Sequence, residues 1–180
     1  MDAAMAVLAI IIFIAVWYTA AGLIFRKVNP KIARSCGCDV VKFAGEPSSL
    51  FVDLDCPEGR LGVFIKRAPW DNPFNLLFFY VVGRSAYVVT RFAAPVDLGV
   101  MDASRSGGGK RVGSFYVVNT STPKEVLQQL LTWGEEVGVW RISTSGRAVQ
   151  LLWKGEDCRR AVEATRTLME RFRHLLKDNS

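Results

Sequence analysis

The sequence predicts an α+β fold tied to a membrane: an N-terminal single transmembrane helix, then an antiparallel-sheet domain of β-hairpins with two helices packed on one face. Three observations carry this. Residues 3–25 form an apolar run without a charge, closed by Arg26 and Lys27. Short alternating segments separated by Gly- and Pro-containing turns recur between Asp39 and Trp153. Two stretches with apolar residues at i, i+3 and i+4 follow helix-start signals at Thr122 and at Gly155-Glu156-Asp157. The chain divides accordingly into an anchor (1–27), a juxtamembrane linker (28–38) and a cytoplasmic α+β domain (39–178).

A helix rises about 1.5 Å per residue, so about 20 apolar residues cross a ~30 Å hydrocarbon core. The run AAMAVLAIIIFIAVWYTAAGLIF is long enough, with some tilt. Trp17 and Tyr18 sit toward its C-terminal end, where amphipathic aromatics begin to be favoured. A cleaved secretory signal is disfavoured, because Met1-Asp2 offers no basic segment ahead of the run. A lipoprotein signal ending at Cys36 fails, since Arg34-Ser35 precede that cysteine. Lys and Arg in the flanks set the orientation. None precedes the run, whereas Arg26, Lys27, Lys31, Arg34 and Lys42 follow it. Basic flanks stay in the cytoplasm. The expectation is therefore a single-pass protein of the plasma membrane, N-terminus outside and C-terminal domain cytoplasmic, with the bilayer as its first partner.

The remaining residues, about 150, are enough for one domain with its own core. Lys and Arg number 23 against 17 Asp and Glu, a net charge of +6. This reads as a generally basic solvated surface, and it suits an anionic leaflet at least as well as nucleic acid. No RNP-type or zinc-finger pattern is present, so no specific nucleic acid is expected. Cys36, Cys38, Cys56 and Cys158 are expected as free thiols in a reducing cytoplasm; a structural disulfide becomes plausible there only if the source is a hyperthermophile. Cys36-Gly-Cys38 resembles half a metal clip, and a juxtamembrane cysteine is also an acylation candidate. No second Cys pair exists and the single histidine, His174, is remote, so no metal is expected.

In order along the chain, Val28–Ala33 is a short polar exit in which Pro30 should interrupt the helix. Asp39–Ala44 reads as a first strand. Ser49–Asp55 and Arg60–Lys66 alternate around Cys56-Pro57-Glu58-Gly59, a hairpin. Ala68–Asn75 carries two prolines and reads as loop. Leu76–Val82 is a continuous apolar run, read as a buried strand paired through Gly83-Arg84-Ser85 with Ala86–Phe92. The stretch 93–110 is rich in Gly, Ser and Asp and reads as a long loop, functional or disordered. Arg111–Asn119 is another strand. Thr122-Pro123-Lys124-Glu125 has the form of a capping box with Pro at the first helical position. Val139–Ser143 and Arg147–Trp153 make a third hairpin. The last helix runs to about Lys177 with Cys158, Ala161, Val162, Thr165, Leu168, Met169, Phe172, Leu175 and Leu176 on one stripe.

Chemistry-bearing patterns are few. Gly107-Gly108-Gly109-Lys110 lacks the first Gly and the Ser/Thr of a phosphate-binding loop. Asp53 and Asp55 share a strand face with Glu58 in the next turn, and carboxylates so placed suit Mg²⁺ or acid–base work as well as a solvated hairpin. His174 sits among Arg171 and Arg173 and reads as solvated. Phe78, Phe79, Tyr80, Tyr87 and Tyr116 read as core. Gly59-Arg60, Gly83-Arg84 and Gly146-Arg147 repeat one dipeptide at turns; gathered at one end of the sheet, Arg60, Arg84 and Arg147 would form a basic rim facing lipid or a partner.

The expectation is thus an accessory, assembly or scaffolding protein whose cytoplasmic domain binds a protein partner in a membrane complex, with no catalytic residue and no cofactor. The alternatives are a membrane-bound enzyme or small-ligand or metal-binding domain using Asp53, Asp55 and the 93–110 loop, and a binder of anionic lipid or nucleic-acid surfaces.

Overall fold

The structure is a computed structural model in which residues 3–177 are described, with side chains as far as Arg173. It is an α+β fold. A long apolar helix, α1 (Ala3–Ser35), leads into β1 (Asp39–Glu46), β2 (Ser49–Cys56) and β3 (Gly59–Lys66). A short helix, α2 (Pro73–Val81), precedes β4 (Tyr87–Ala93), β5 (Val100–Ser104), β6 (Lys110–Val112) and β7 (Phe115–Val118). Helix α3 (Lys124–Val137), strands β8 (Arg141–Ser145) and β9 (Ala148–Lys154), and helix α4 (Cys158–Lys177) complete it. The strands form one nine-stranded sheet in the order β1-β2-β3-β4-β9-β8-β5-β7-β6. Every pairing is antiparallel.

Alternation decides which face is covered. Leu50, Val52 and Leu54 of β2, Leu61, Val63 and Ile65 of β3, and Val149, Leu151 and Trp153 of β9 are all buried. They join the helix stripes of α3 (Leu130, Leu131, Trp133) and α4 (Cys158, Ala161, Val162, Leu168, Met169, Phe172) in one core. Across this layer Trp133 meets Trp153 edge to face at 6.2 Å, and Phe172 approaches Phe92 at 6.3 Å. A buried polar link crosses it too: Thr90 and Thr165 share a 2.8 Å hydrogen bond, and Thr165 also donates to the Ala161 carbonyl. Glu58, in the β2–β3 turn, takes two 2.7 Å hydrogen bonds from the Arg166 guanidinium and fastens α4 to that end of the sheet. The side chains of His174, Leu175 and Leu176 lie outside the described residues.

Several elements depart from the sequence reading. Pro30 lies inside α1, which continues to Ser35 because its last turns are packed: Asn29, Ala33 and Cys36 are buried against the domain. Leu76–Val82, expected as a buried strand, is the rest of α2 with Val82 as its C-cap, and Phe78 and Tyr80, expected as core, are exposed on it. The Asn72 carboxamide accepts from the Phe74 and Asn75 amides, and Pro73 sits at the helix start, so local capping selects the helix. The 93–110 stretch is not one loop; its centre is β5, held between β8 and β7. The expected strand 111–119 is two, β6 and β7, folded about Gly113. The Thr122 hydroxyl caps nothing and is buried without a partner among the described residues. α3 ends as expected at a glycine: Gly138 has φ 82°, the left-handed conformation that lets its amide reach the Gly134 carbonyl. Finally, no cysteine is free. Cys36 is joined to Cys158 and Cys38 to Cys56. The free-thiol expectation followed from an assumed compartment; the fold itself brings each pair to a Cα separation of 5.1–5.2 Å, the ordinary span of a disulfide.

Candidate functional site

Two regions concentrate unusual features: the end of the sheet where α1 enters, and the sheet face that carries no helix.

At the entry end, α1 is locked to the domain by buried polar groups. Arg67 directly follows β3 and is almost fully buried. One terminal nitrogen donates to the Asn29 side chain at 2.7 Å and to the Glu46 carbonyl at 2.9 Å. Its guanidinium lies over the Phe25 ring at 4.7 Å. Burial lowers the Arg67 pKa from its ordinary value, partly offset by the Glu156 carboxylate; an arginine starts so high that it keeps its charge. Its remaining nitrogens have no partner among the described residues. Arg67 lines a cleft of about 550 Å³ with Lys66, Phe78, Arg84 and Tyr87. Nearer the N-terminus, the Trp17 indole donates to the Trp70 carbonyl at 2.8 Å. Tyr18, Arg26, Lys27, Lys31 and Arg34 are exposed on α1.

The three Gly-Arg dipeptides do not gather. Their glycines do take positive φ, at 128°, 68° and 60°. Register places Arg60 opposite Asp55, at the Glu58 end of the sheet, and Arg147 beside the Ala93–Ala148 pair at that same end. Arg84 precedes Tyr87, which is opposite Lys66, at the other end. Arg147 is also engaged, donating to the Ala94 and Pro95 carbonyls.

Of the three carboxylates only Glu58 leaves the group; Asp53 and Asp55, two apart on β2, stay on the open face. Asp53 is opposite Lys42 on one side and Gly62 on the other; Asp55 is opposite Asp39 and Arg60. Glu58 points to the covered side and is held by Arg166, whose hydrogen bonds lower its pKa from 4.5 to about 2. Among the described residues no three His, Cys, Asp or Glu side chains converge as a metal site would require. In the former loop region, Arg105 donates to the Val139 and Gly134 carbonyls and lies 5.4 Å over Phe115, so it fastens the C-terminal end of α3.

The uncovered face is ordered by register into rows. One row reads Ala44, Phe51, Phe64, Val89, Leu152 and then Arg141. Its neighbour reads Lys42, Asp53, Gly62, Arg91, Gln150, Ser143 and Asp102. An apolar stripe thus lies beside a polar one. Arg141 and Asp102 form an ion pair that Ser143 joins, and the Arg141 hydrogen bonds lower the Asp102 pKa. Phe51 is exposed, while Phe64 and Leu152 are half-buried. On the opposite side, α3 and α4 flank a cleft of about 540 Å³ lined by Leu98, Val126, Trp133, Leu168 and Phe172. The Trp133 indole N–H is buried there without a partner among the described residues.

Sequence reasoning missed Asn29, Arg67 and Trp70. Arg67 read as the residue after a strand, and only its burial beside Asn29 after folding makes it notable. No family model, curated protein or solved structure matches the chain.

Proposed function

We propose that this protein is a membrane-anchored accessory or scaffolding subunit that binds another protein through the uncovered face of its sheet. The observation that carries the reading is the apolar row Phe51–Phe64–Val89–Leu152 beside the polar row from Lys42 to Asp102. An apolar core with a hydrogen-bonding rim is the composition of a protein–protein interface. Glu58, one of the three carboxylates proposed for chemistry, is held by Arg166 and turned to the covered side, away from Asp53 and Asp55, which supports binding over catalysis by that trio. Retention of α1 as an anchor, rather than its removal as a signal, is supported by its continuity into the domain and by the Asn29–Arg67 clamp. The test is photo-crosslinking in cells from a probe at Phe51 or Phe64. One shared protein adduct, lost when Phe64→Asp is introduced, is the expected result. Adducts to lipid alone, or none, would overturn the reading.

Orientation belongs to the same proposal. The basic residues from Arg26 to Lys42 support a cytoplasmic domain. The two disulfides favour the opposite side, because thiols stay reduced in most cytoplasms. A cytoplasm that retains structural disulfides reconciles both, and this is the reading we adopt. Ser145 is exposed. Ser145→Cys should resist an impermeant maleimide in intact cells and react in lysed ones; reaction in intact cells would place the domain outside.

A further inference from the structure

Helix α2 has no buried residue, although it reads PFNLLFFYV. Val81 is 75% exposed, Leu77 64%, Tyr80 63%, Phe74 59% and Phe78 55%. Val82 and Trp70 extend the same patch. Large contiguous apolar patches of this kind mark interaction sites. Its location says what covers it. Residues 68–85 form a hook between β3 and β4 on the end of the sheet where α1 arrives. Trp70 lines one apolar groove with Trp17, Ala20, Ala21, Ile24 and Phe25 of the candidate span, and the Trp17 indole donates to its carbonyl. Trp17 precedes Arg26 by nine residues, about 13 Å along a helix. If Arg26 and Lys27 lie at the headgroups, Trp70 lies within the acyl layer.

We infer that the 68–85 hook is a second membrane element, a short re-entrant segment that enters the same leaflet as the α1 exit and lies against α1 there. The inference rests on α1 being a membrane anchor. The occupant of the patch is the acyl layer itself, continuous with the lipid around α1. Polar satisfaction fits this placement, since lipid leaves backbone groups no water. At the start of α2, Asn72 accepts from two amides, and the Trp70 carbonyl is taken by Trp17. At its end, the Val82, Gly83 and Arg84 amides return to Phe78, Tyr80 and Phe79 carbonyls. Charges bracket the hook: Lys66 and Arg67 precede it and Arg84 closes it, all three lining one cleft. That places cations at the depth of lipid phosphates. Asp71 is the only residue charged at neutral pH between Arg67 and Arg84; one of its oxygens is buried with no hydrogen-bond partner among the described residues, and single charges of that kind are accommodated by local thinning or water defects.

The test uses the full chain reconstituted alone into phospholipid vesicles, with an environment-sensitive fluorophore on single cysteines introduced beside the paired native ones. Leu77→Cys and Val81→Cys report the hook, Met5→Cys the anchor and Gln129→Cys the domain. The expected result is blue-shifted emission at Leu77 and Val81, quenched several-fold more by acyl-chain nitroxide lipids than by aqueous iodide, as at Met5 and unlike Gln129. Iodide quenching at Leu77 and Val81 equal to that at Gln129, with Met5 still lipid-quenched, would overturn the inference while leaving the anchor intact. Loss of lipid quenching at Met5 would instead remove the anchor reading. Hook positions water-exposed in vesicles but protected in native membranes would assign the patch to a protein and also overturn the inference.

Discussion

Glu58 shows how one side chain can hold an element in place. Its carboxylate is nearly buried and receives both Arg166 hydrogen bonds at 2.7 Å. Those bonds favour the ionised form and draw the pKa from 4.5 to about 2. A depressed carboxylate pKa contributes stability that is present above the unfolded value and lost as pH falls through the folded one. The contribution of Glu58 should therefore be complete above about pH 4.5 and vanish toward pH 2. Glu58→Gln should lower the unfolding free energy by about 1–3 kcal/mol at neutral pH, because it weakens a charge-assisted pair and leaves Arg166 partly unmet. The gap from wild type should narrow as acid is added. Urea unfolding of both proteins at pH 7 and pH 3 checks this; equal stability at pH 7 would mean the pair contributes nothing.

Gly45 carries a second prediction at this scale. It lies near the end of β1, and its role comes from α1. A Cβ there would lie 2.6 Å from the Asn29 carboxamide nitrogen and 2.8 Å from a Leu50 methyl. Leu50 is core and Asn29 is held by Arg67, so neither yields freely. Gly45→Ala should cost about 1–3 kcal/mol, the range of overpacked substitutions. Thermal unfolding in detergent checks it, and an unchanged midpoint would show that α1 is not seated there. No local pattern announces such a contact, because it joins residues distant in sequence.

At the scale of elements, what was legible depended on periodicity. The stripe of α4 repeats cleanly, and every member of it from Cys158 to Phe172 is buried. Phe172→Ala should cost about 3–5 kcal/mol in denaturant unfolding, as for other buried aromatics. A cost under about 1 kcal/mol would mean that the Phe92 contact is not formed in solution. The hairpins β2–β3 and β8–β9 were equally legible, since alternation and turn glycines agreed. Leu76–Val82 was not. A continuous apolar run suits a buried strand and a lipid-facing helix alike, and the deciding signal lay outside it, at Asn72-Pro73. β5 was hidden for a different reason: its five residues include Asp102 and Ser104, which face the open side, so its apolar half is only Met101 and Ala103. The polar face that might have marked a site was thus legible as residues but not as a surface, because strand order decides which rows form.

For the whole molecule, the disulfides and the Asn29–Arg67 clamp act on the same junction. Cys36 lies one residue past α1, and its bond to Cys158 fixes that end of the helix to the start of α4. Cys38 bonds to Cys56 and fixes the start of β1 to the end of β2. The first link spans 122 residues and the second 18. In the chain-entropy account, closing the longer loop restrains the unfolded chain by about 5 kcal/mol and the shorter by about 3 kcal/mol. Cys36→Ser with Cys158→Ser should therefore destabilise more than Cys38→Ser with Cys56→Ser, by about 1–2 kcal/mol. The same variants separate stability from attachment. Loss of the Cys36–Cys158 link frees the α1 exit from α4 while Asn29 and Arg67 remain to seat it on the sheet. Protease sensitivity near Lys31 and Arg34 should then rise only modestly in that variant, and sharply when Asn29→Leu is added. Chemical denaturation gives the order of stabilities, and mass spectrometry of brief tryptic digests gives the cut sites. If cleavage at Lys31 and Arg34 is already complete in the disulfide variant alone, the clamp does not hold α1. Helix α1 and the domain would then be joined by a tether rather than forming one rigid body.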